Sequence, residues 1–148
     1  MKWLLDTNVV SESARPRPDP GVLAWISGQP TEQMAISVVT LAELRDGAST
    51  VADERRRQQF ERWIDTDVAT SFAHRTLPLT IEILAHWFFL GRRLSAKGRP
   101  RVAPDLLIAA TAWVHDLTVV SRNFRDFTGT GIVVFDPWTR NTHHMDVP

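Results

Sequence analysis

The sequence predicts an α/β fold, with a central, mainly parallel sheet covered by helices on both faces. Three observations carry that prediction. Short apolar runs of strand length recur at Trp3-Leu4-Leu5, Met34-Ala35-Ile36, Leu117–Val120 and Ile132–Phe135. Segments with helical apolar spacing alternate with them, which favours parallel strands joined by crossover helices. The 148 residues suit one domain with a core of its own.

The elements follow in order. Lys2–Leu5 opens the chain as a strand. A short helix over Val9–Ser13 is stopped by Arg15-Pro16-Arg17-Pro18. Asp19-Pro20 is a helix-start signal, with Pro at the first helical position, and Val22, Leu23, Trp25 and Ile26 supply that helix's apolar face. Met34–Ile36 is the second strand, followed by a helix over about Val38–Ala48. A charged helix over Ala52–Asp65 buries Phe60, Trp63 and Ile64. Leu77–Leu79 leads into a long helix, Ile81–Ala96, whose apolar set Ile81, Leu84, Ala85, Phe88 and Leu94 keeps near-helical spacing. Trp87, Phe88 and Phe89 in succession exceed one face, so part of this helix is expected to meet a partner. Gly98-Arg99-Pro100 breaks it, and Pro104 starts a helix that ends near His115. The strands Leu117–Val120 and Ile132–Phe135 close a single domain over 1–138, and residues 139–148 lack periodicity and are expected to form a flexible tail.

Composition narrows the function classes. No uninterrupted apolar run approaches the ~18 residues of a membrane span, and the opening run is too short for a signal peptide. Cysteine is absent, which excludes disulfides, thiolate metal sites and cysteine nucleophiles and suits a reducing cytoplasm. Six tryptophans could stack on bases, but most fall on apolar helix faces, where core packing is expected. The 17 basic and 17 acidic residues balance, yet unevenly. Between Ile83 and Pro104 no acid occurs, while Arg92, Arg93, Lys97, Arg99 and Arg101 do; the rest of the chain is then net −5. Such a segment can hold a phosphate backbone or simply be a solvated helix end and loop.

Three carboxylates fall at element boundaries: Asp6 after the first strand, Glu43 in the helix after the second, and Asp105 in the first turn of the helix opened by Pro104. Each has a local explanation: Asp6 as a turn or cap residue, Glu43 as the reaching-back acid of a Thr40–Glu43 capping box, Asp105 as a complement to the helix dipole. In a parallel sheet, however, strand carboxyl ends and the following helix amino ends share one edge, where ligands bind. Ser121, Asn123 and Asp126 arrive at that edge after the strand Leu117–Val120. Two ionised carboxylates at about 4–5 Å repel by roughly 3–4 kcal/mol at an effective dielectric of 20. Raised pKa values or a bound cation must relieve this, and oxygen ligands alone select Mg²⁺ or Mn²⁺. Such an ion beside a basic segment suggests phosphodiester hydrolysis.

The motifs resemble those of PIN-domain ribonucleases. Asp6-Thr7-Asn8-Val9-Val10-Ser11-Glu12 looks like the first, Ser37–Ala48 around Glu43 the second, Pro104–Ala112 the third and Ser121–Phe127 the fourth. They stand in family order over nearly the whole chain and are most similar to the VapC toxins, especially the FitB-like subgroup. The resemblance implies a PIN-like three-layer α/β/α sandwich and Mg²⁺- or Mn²⁺-dependent endoribonuclease activity as the toxin of a type II toxin–antitoxin system. It implies metal ligation by Asp6, Glu43 and Asp105, with water attacking in line at phosphorus to leave a 5′-phosphate and a 3′-hydroxyl. Family members often carry an acid at the position of Asn123, whose amide lowers the site's negative charge by one; Asp126 and Ser121 are additional candidates. The resemblance further implies a VapB-type antitoxin, a homodimer and a hetero-oligomer of the two. Two other readings remain. One is a PIN-fold module that binds RNA or a partner without cutting, which Asn123 motivates. The other is an aspartyl phosphatase, which wants a second Asp where Asn8 stands.

Overall fold

The computed structural model describes residues 1–98 and 103–146, so Arg99 and Arg101 of the basic segment lie outside the described residues. Strands β1 (Trp3–Leu5), β2 (Met34–Ser37), β3 (Thr76–Leu77), β4 (Thr118–Val120), β5 (Val133–Asp136) and β6 (Asn141–His144) form one sheet in the order β3-β2-β1-β4-β5-β6. All neighbours pair in parallel except β5 and β6. Helices α1 (Thr7–Glu12), α2 (Pro20–Ser27), α3 (Val38–Ser49), α4 (Glu54–Trp63), α5 (Ala69–Ser71), α6 (Ile81–Ala96) and α7 (Ala103–His115) make the crossovers, with a π-helical stretch, Ile64–Val68, between α4 and α5.

Strand alternation builds the three layers. Leu4, Ala35, Val119 and Val134 share a row on one face and pack with Ile83, Leu90, Leu94, Ile108 and Phe127. The adjacent row, Leu5, Ile36, Val120 and Phe135, faces the other way and packs with Val9, Val10, Leu44, Ile64 and Trp63. The mainly parallel sheet with a helical layer on each face is the architecture the sequence predicts.

The strand order fixes where a ligand belongs. From β1 the chain steps to β2 and β3, then crosses back to β4 on the other side of β1. The carboxyl ends of β1 and β4 therefore flank the point at which the crossovers reverse direction, the usual binding crevice of an open α/β sheet. Only Asp116 and Leu117 separate α7 from β4, and Asp116 takes the left-handed φ of 51° that so tight a reversal needs. Helix and strand thus run in opposite directions, and the amino end of α7, with Asp105, lies toward the carboxyl end of β4.

Two expectations are corrected. Residues 141–144 are not a flexible tail: β6 pairs antiparallel with β5 from Val133↔His144 to Asp136↔Asn141. Its polar sequence shows no alternation because an edge strand is held by backbone hydrogen bonds and keeps its side chains largely in solvent. In α6, the buried stripe is Ile83, Leu90 and Leu94. Ile81, Leu84 and Phe88 face outward with Trp113 of α7, Ile81 at 82% and Phe88 at 58% exposure. His86 stacks on Trp113 at 4.9 Å between ring centroids, so α6 and α7 lie side by side in opposite directions. Of the six tryptophans, Trp113 is exposed and the others are half-buried.

Candidate active site

Asp6 is placed by the end of β1. Its backbone N–H donates to Val120 of β4 at 3.0 Å, and its side chain caps α1 by accepting from the Thr7 N–H at 2.8 Å. The cap reading of Asp6 is thus correct as far as it goes. The other carboxylate oxygen accepts from Ser121 Oγ at 2.7 Å and from Asn8 Nδ2 at 3.1 Å. Asp6 is only 6% exposed and Ser121 is fully buried. Burial pushes the Asp6 pKa up, against the pull of the Ser121, Thr7 and Asn8 hydrogen bonds, and the charge of Asp126 adds to the rise.

Ser121 Oγ is a hub: it also accepts from Asn8 Nδ2 at 3.1 Å and from the Asn123 backbone N–H at 3.0 Å. Asn8 in turn accepts the Arg122 N–H on Oδ1 at 3.1 Å. The loop after β4 is therefore bolted to the loop after β1 through two side chains. Asn123 takes part through its backbone; its side chain is exposed and makes no capping bond. Asp126 is exposed as well and reaches Asp6 through its field.

Glu43 is not the acid of a capping box. Ser37 is the N-cap of α3 and accepts from the Val39 N–H, which puts Thr40 inside the helix. Glu43 instead accepts from Thr7 Oγ1 at 2.9 Å. Its pKa is raised by burial and by the Asp6 charge, against the Thr7 bond. Thr7 thus touches both acids, Asp6 with its N–H and Glu43 with its hydroxyl. Thr7 and Asn8 were visible in the sequence as part of a motif, but the roles of their side chains were not; a hydroxyl and an amide directly after a strand-terminal acid are the signal.

Asp105 sits in the first turn of α7, at the same sheet edge by topology. Among the described residues, no three acids or histidines gather closely enough to hold an ion between them. The donor chemistry nevertheless fits a hard divalent cation, for two carboxylates are raised by burial and by like charge, and an ion would relieve both. Asp6 and Glu43 could hold it. Arg92, Arg93 and Lys97 lie at the end of α6 that runs toward the amino end of α7, and Arg93 stacks over Phe89 at 5.3 Å. A groove of about 390 Å³ opens from Thr7 and Glu43, with Leu44, Val51 and Phe60 in its wall and Arg15 and Arg56 at its rim.

Comparison with known proteins places the fold in a family. Residues 3–131 match the PIN domain family. The chain is 34% identical over 135 residues to Toxin FitB of Neisseria gonorrhoeae, covering 91% of this chain and 97% of that one. It is equally identical over 135 residues to VapC ribonuclease Y4jK of Sinorhizobium fredii, covering 91% and 96%. The crystal structure of FitAcB from Neisseria gonorrhoeae superposes with a TM-score of 0.85 at 34% identity, over 92% of this chain and 98% of that chain.

Proposed function

The chain belongs to the PIN-domain family, and from that premise we propose that it is the toxin of a toxin–antitoxin pair, a Mg²⁺- or Mn²⁺-dependent endoribonuclease. The observation that carries this reading is the Asp6 carboxylate: buried, raised in pKa, and tied at the reversal point of the sheet to Ser121, Asn8 and Thr7. A desolvated acid with a second acid in its field is a charge that a bound cation would relieve, and acids perturbed in this way cluster at functional sites.

A bound divalent ion would supply charge stabilisation at a phosphoryl oxygen and a more acidic water. The chain's own residues do the rest. Ser121 and Asn8 hold the Asp6 carboxylate in one orientation. Thr7 holds Glu43 in register with Asp6, and Glu43 would help hold the ion and orient the attacking water, whose proton passes to solvent. Asp105 approaches from α7 as the third acid. Attack in line at phosphorus then breaks the P–O3′ bond, and the departing 3′-oxygen takes a proton from solvent, leaving a 5′-phosphate and a 3′-hydroxyl. The apolar groove leading from Thr7 and Glu43 suits a segment of a VapB-type antitoxin that covers the site. The exposed apolar stripe of Ile81, Leu84, Phe88 and Trp113 suits a homodimer or the antitoxin. No helix among the described residues is long and apolar enough to cross a membrane, and we place the protein with its RNA in the cytoplasm.

One observation favours a second reading. The three acids do not close into one ligand shell, as a PIN-fold module that binds RNA or a partner without hydrolysis would have it. Incubating the purified protein with structured RNA in Mn²⁺ and in EDTA separates the two. Cleavage in Mn²⁺ that is lost in Asp6→Ala and in Asp105→Ala supports the nuclease. Cleavage unchanged in those variants overturns the site, and RNA binding without cleavage supports the second reading.

A further inference from the structure

We propose that Arg122 is a phosphate-binding residue of the RNA site, gripping the strand beside the scissile position; this rests on the ribonuclease reading above. Arg122 directly follows Ser121, and its own N–H donates to Asn8, whose amide reaches the Asp6 carboxylate. Its backbone is therefore two hydrogen bonds from the central acid. Its side chain is solvent-exposed, and the guanidinium carbon lies 5.1 Å from the centre of the Trp138 ring.

That seat is built by the fold. Trp138 follows β5, which is parallel to β4, so the ring stands at the same carboxyl edge as Asp6. It is held there by Asp136, a buried acid whose side chain accepts from the N–H groups of Trp138 and Thr139 and from the Thr139 hydroxyl. An arginine held over an indole keeps its N–H fork free for an anion and loses less freedom on binding one. Neither ion pair found among the described residues involves Arg122. Asp6, two hydrogen bonds away and itself in the field of Asp126, would repel a polyanion unaided. An unpaired, aromatic-seated guanidinium at this edge answers that repulsion and matches a phosphate bidentately. An RNA backbone is favoured over a protein partner because the arginine belongs to the hydrogen-bonded loop that carries the reacting acid's own partners.

The test is binding of a fluorescein-labelled single-stranded RNA oligonucleotide to the full-length protein in EDTA, by anisotropy across a salt series. Arg122→Ala is compared with wild type, with Arg122→Lys, and with Arg17→Ala as a control for lost surface charge. Because the bond to Asn8 comes from the backbone, both Arg122 variants keep it and should unfold at the wild-type temperature. Arg122→Ala should bind about tenfold more weakly, the low end for a bond to a charged group. Its plot of log affinity against log salt should flatten by about 0.7, one phosphate contact on a single strand. Arg122→Lys should restore the slope and only part of the affinity, and Arg17→Ala should match wild type in both. An unchanged affinity and slope in Arg122→Ala, with wild type binding RNA, overturns the inference alone, even if affinity for an antitoxin falls. Failure of wild type to bind or cut any RNA overturns the ribonuclease reading and this inference with it.

Discussion

Ser121 Oγ donates to Asp6 Oδ2 at 2.7 Å, joining the ends of β4 and β1 where the crossovers of the sheet reverse. Both groups are buried, and the same hydroxyl accepts from Asn8 and from the Asn123 N–H, so one atom organises the loops on either side of the acid.

Replacing Ser121 with Ala removes a hydrogen bond to a charged group and orphans the Asn123 N–H. We expect a loss of about 1.5–3 kcal/mol in the metal-free protein, read from urea unfolding at neutral pH. Ser121→Thr, which keeps the hydroxyl, should recover a good part of it. A Ser121→Ala variant as stable as wild type would mean that the bond contributes nothing.

Thr7→Val keeps the shape of the side chain and the N–H to Asp6 but frees Glu43. Stability should fall by about 0.5–1.5 kcal/mol, the ordinary range for one hydrogen bond. RNA cleavage in Mn²⁺ should fall at least tenfold through kcat, with RNA affinity in EDTA unchanged, and Thr7→Ser should restore it. Equal cleavage by Thr7→Val and wild type would remove Thr7 from the site.

The raised pKa values of Asp6 and Glu43 set a pH trend with a definite sign. As pH rises past the ordinary carboxylate range, the unfolded chain releases these protons first and the folded one retains them. The folded state then binds more protons, so stability falls with rising pH until the folded groups also ionise. In EDTA, thermal midpoints of wild type minus those of Asp6→Asn should therefore decline from acidic toward neutral pH. A difference that is flat or rises would show that Asp6 is not raised in the fold.

Mn²⁺ should reverse that penalty. With the ion at a hundred times its dissociation constant, wild type should gain about 2.7 kcal/mol of stability. Calorimetry or a thermal-shift series with Mn²⁺ reads this without any RNA. Asp6→Asn should gain little, and the same gain in wild type and Asp6→Asn would place the ion elsewhere.

Most of the fold was legible because its causes are local. Apolar runs of three or four residues, alternating with helical periodicity, gave the parallel sheet and both covering layers. Asp19-Pro20 marked the start of α2, where the Asp19 side chain accepts from the Gly21 and Val22 N–H groups. The failures have a common origin. Polar β6 is held by its neighbour's backbone, which no residue pattern reports. In α6, apolar residues stand on two faces, and only packing against α7 selects Ile83, Leu90 and Leu94 as the buried stripe.

For the site, the sequence by itself determined which acids reach the carboxyl edge of the sheet, because strand–helix alternation fixes the end at which each strand hands over to its helix. Tertiary structure alone decided how Asp6 is held. Its key partner, Ser121, is 115 positions away, and Thr7 meets Glu43 across 36. Hydrogen bonds of that range depend on β1 lying between β2 and β4, and strand order is set by how whole layers pack, which no local stretch of sequence encodes.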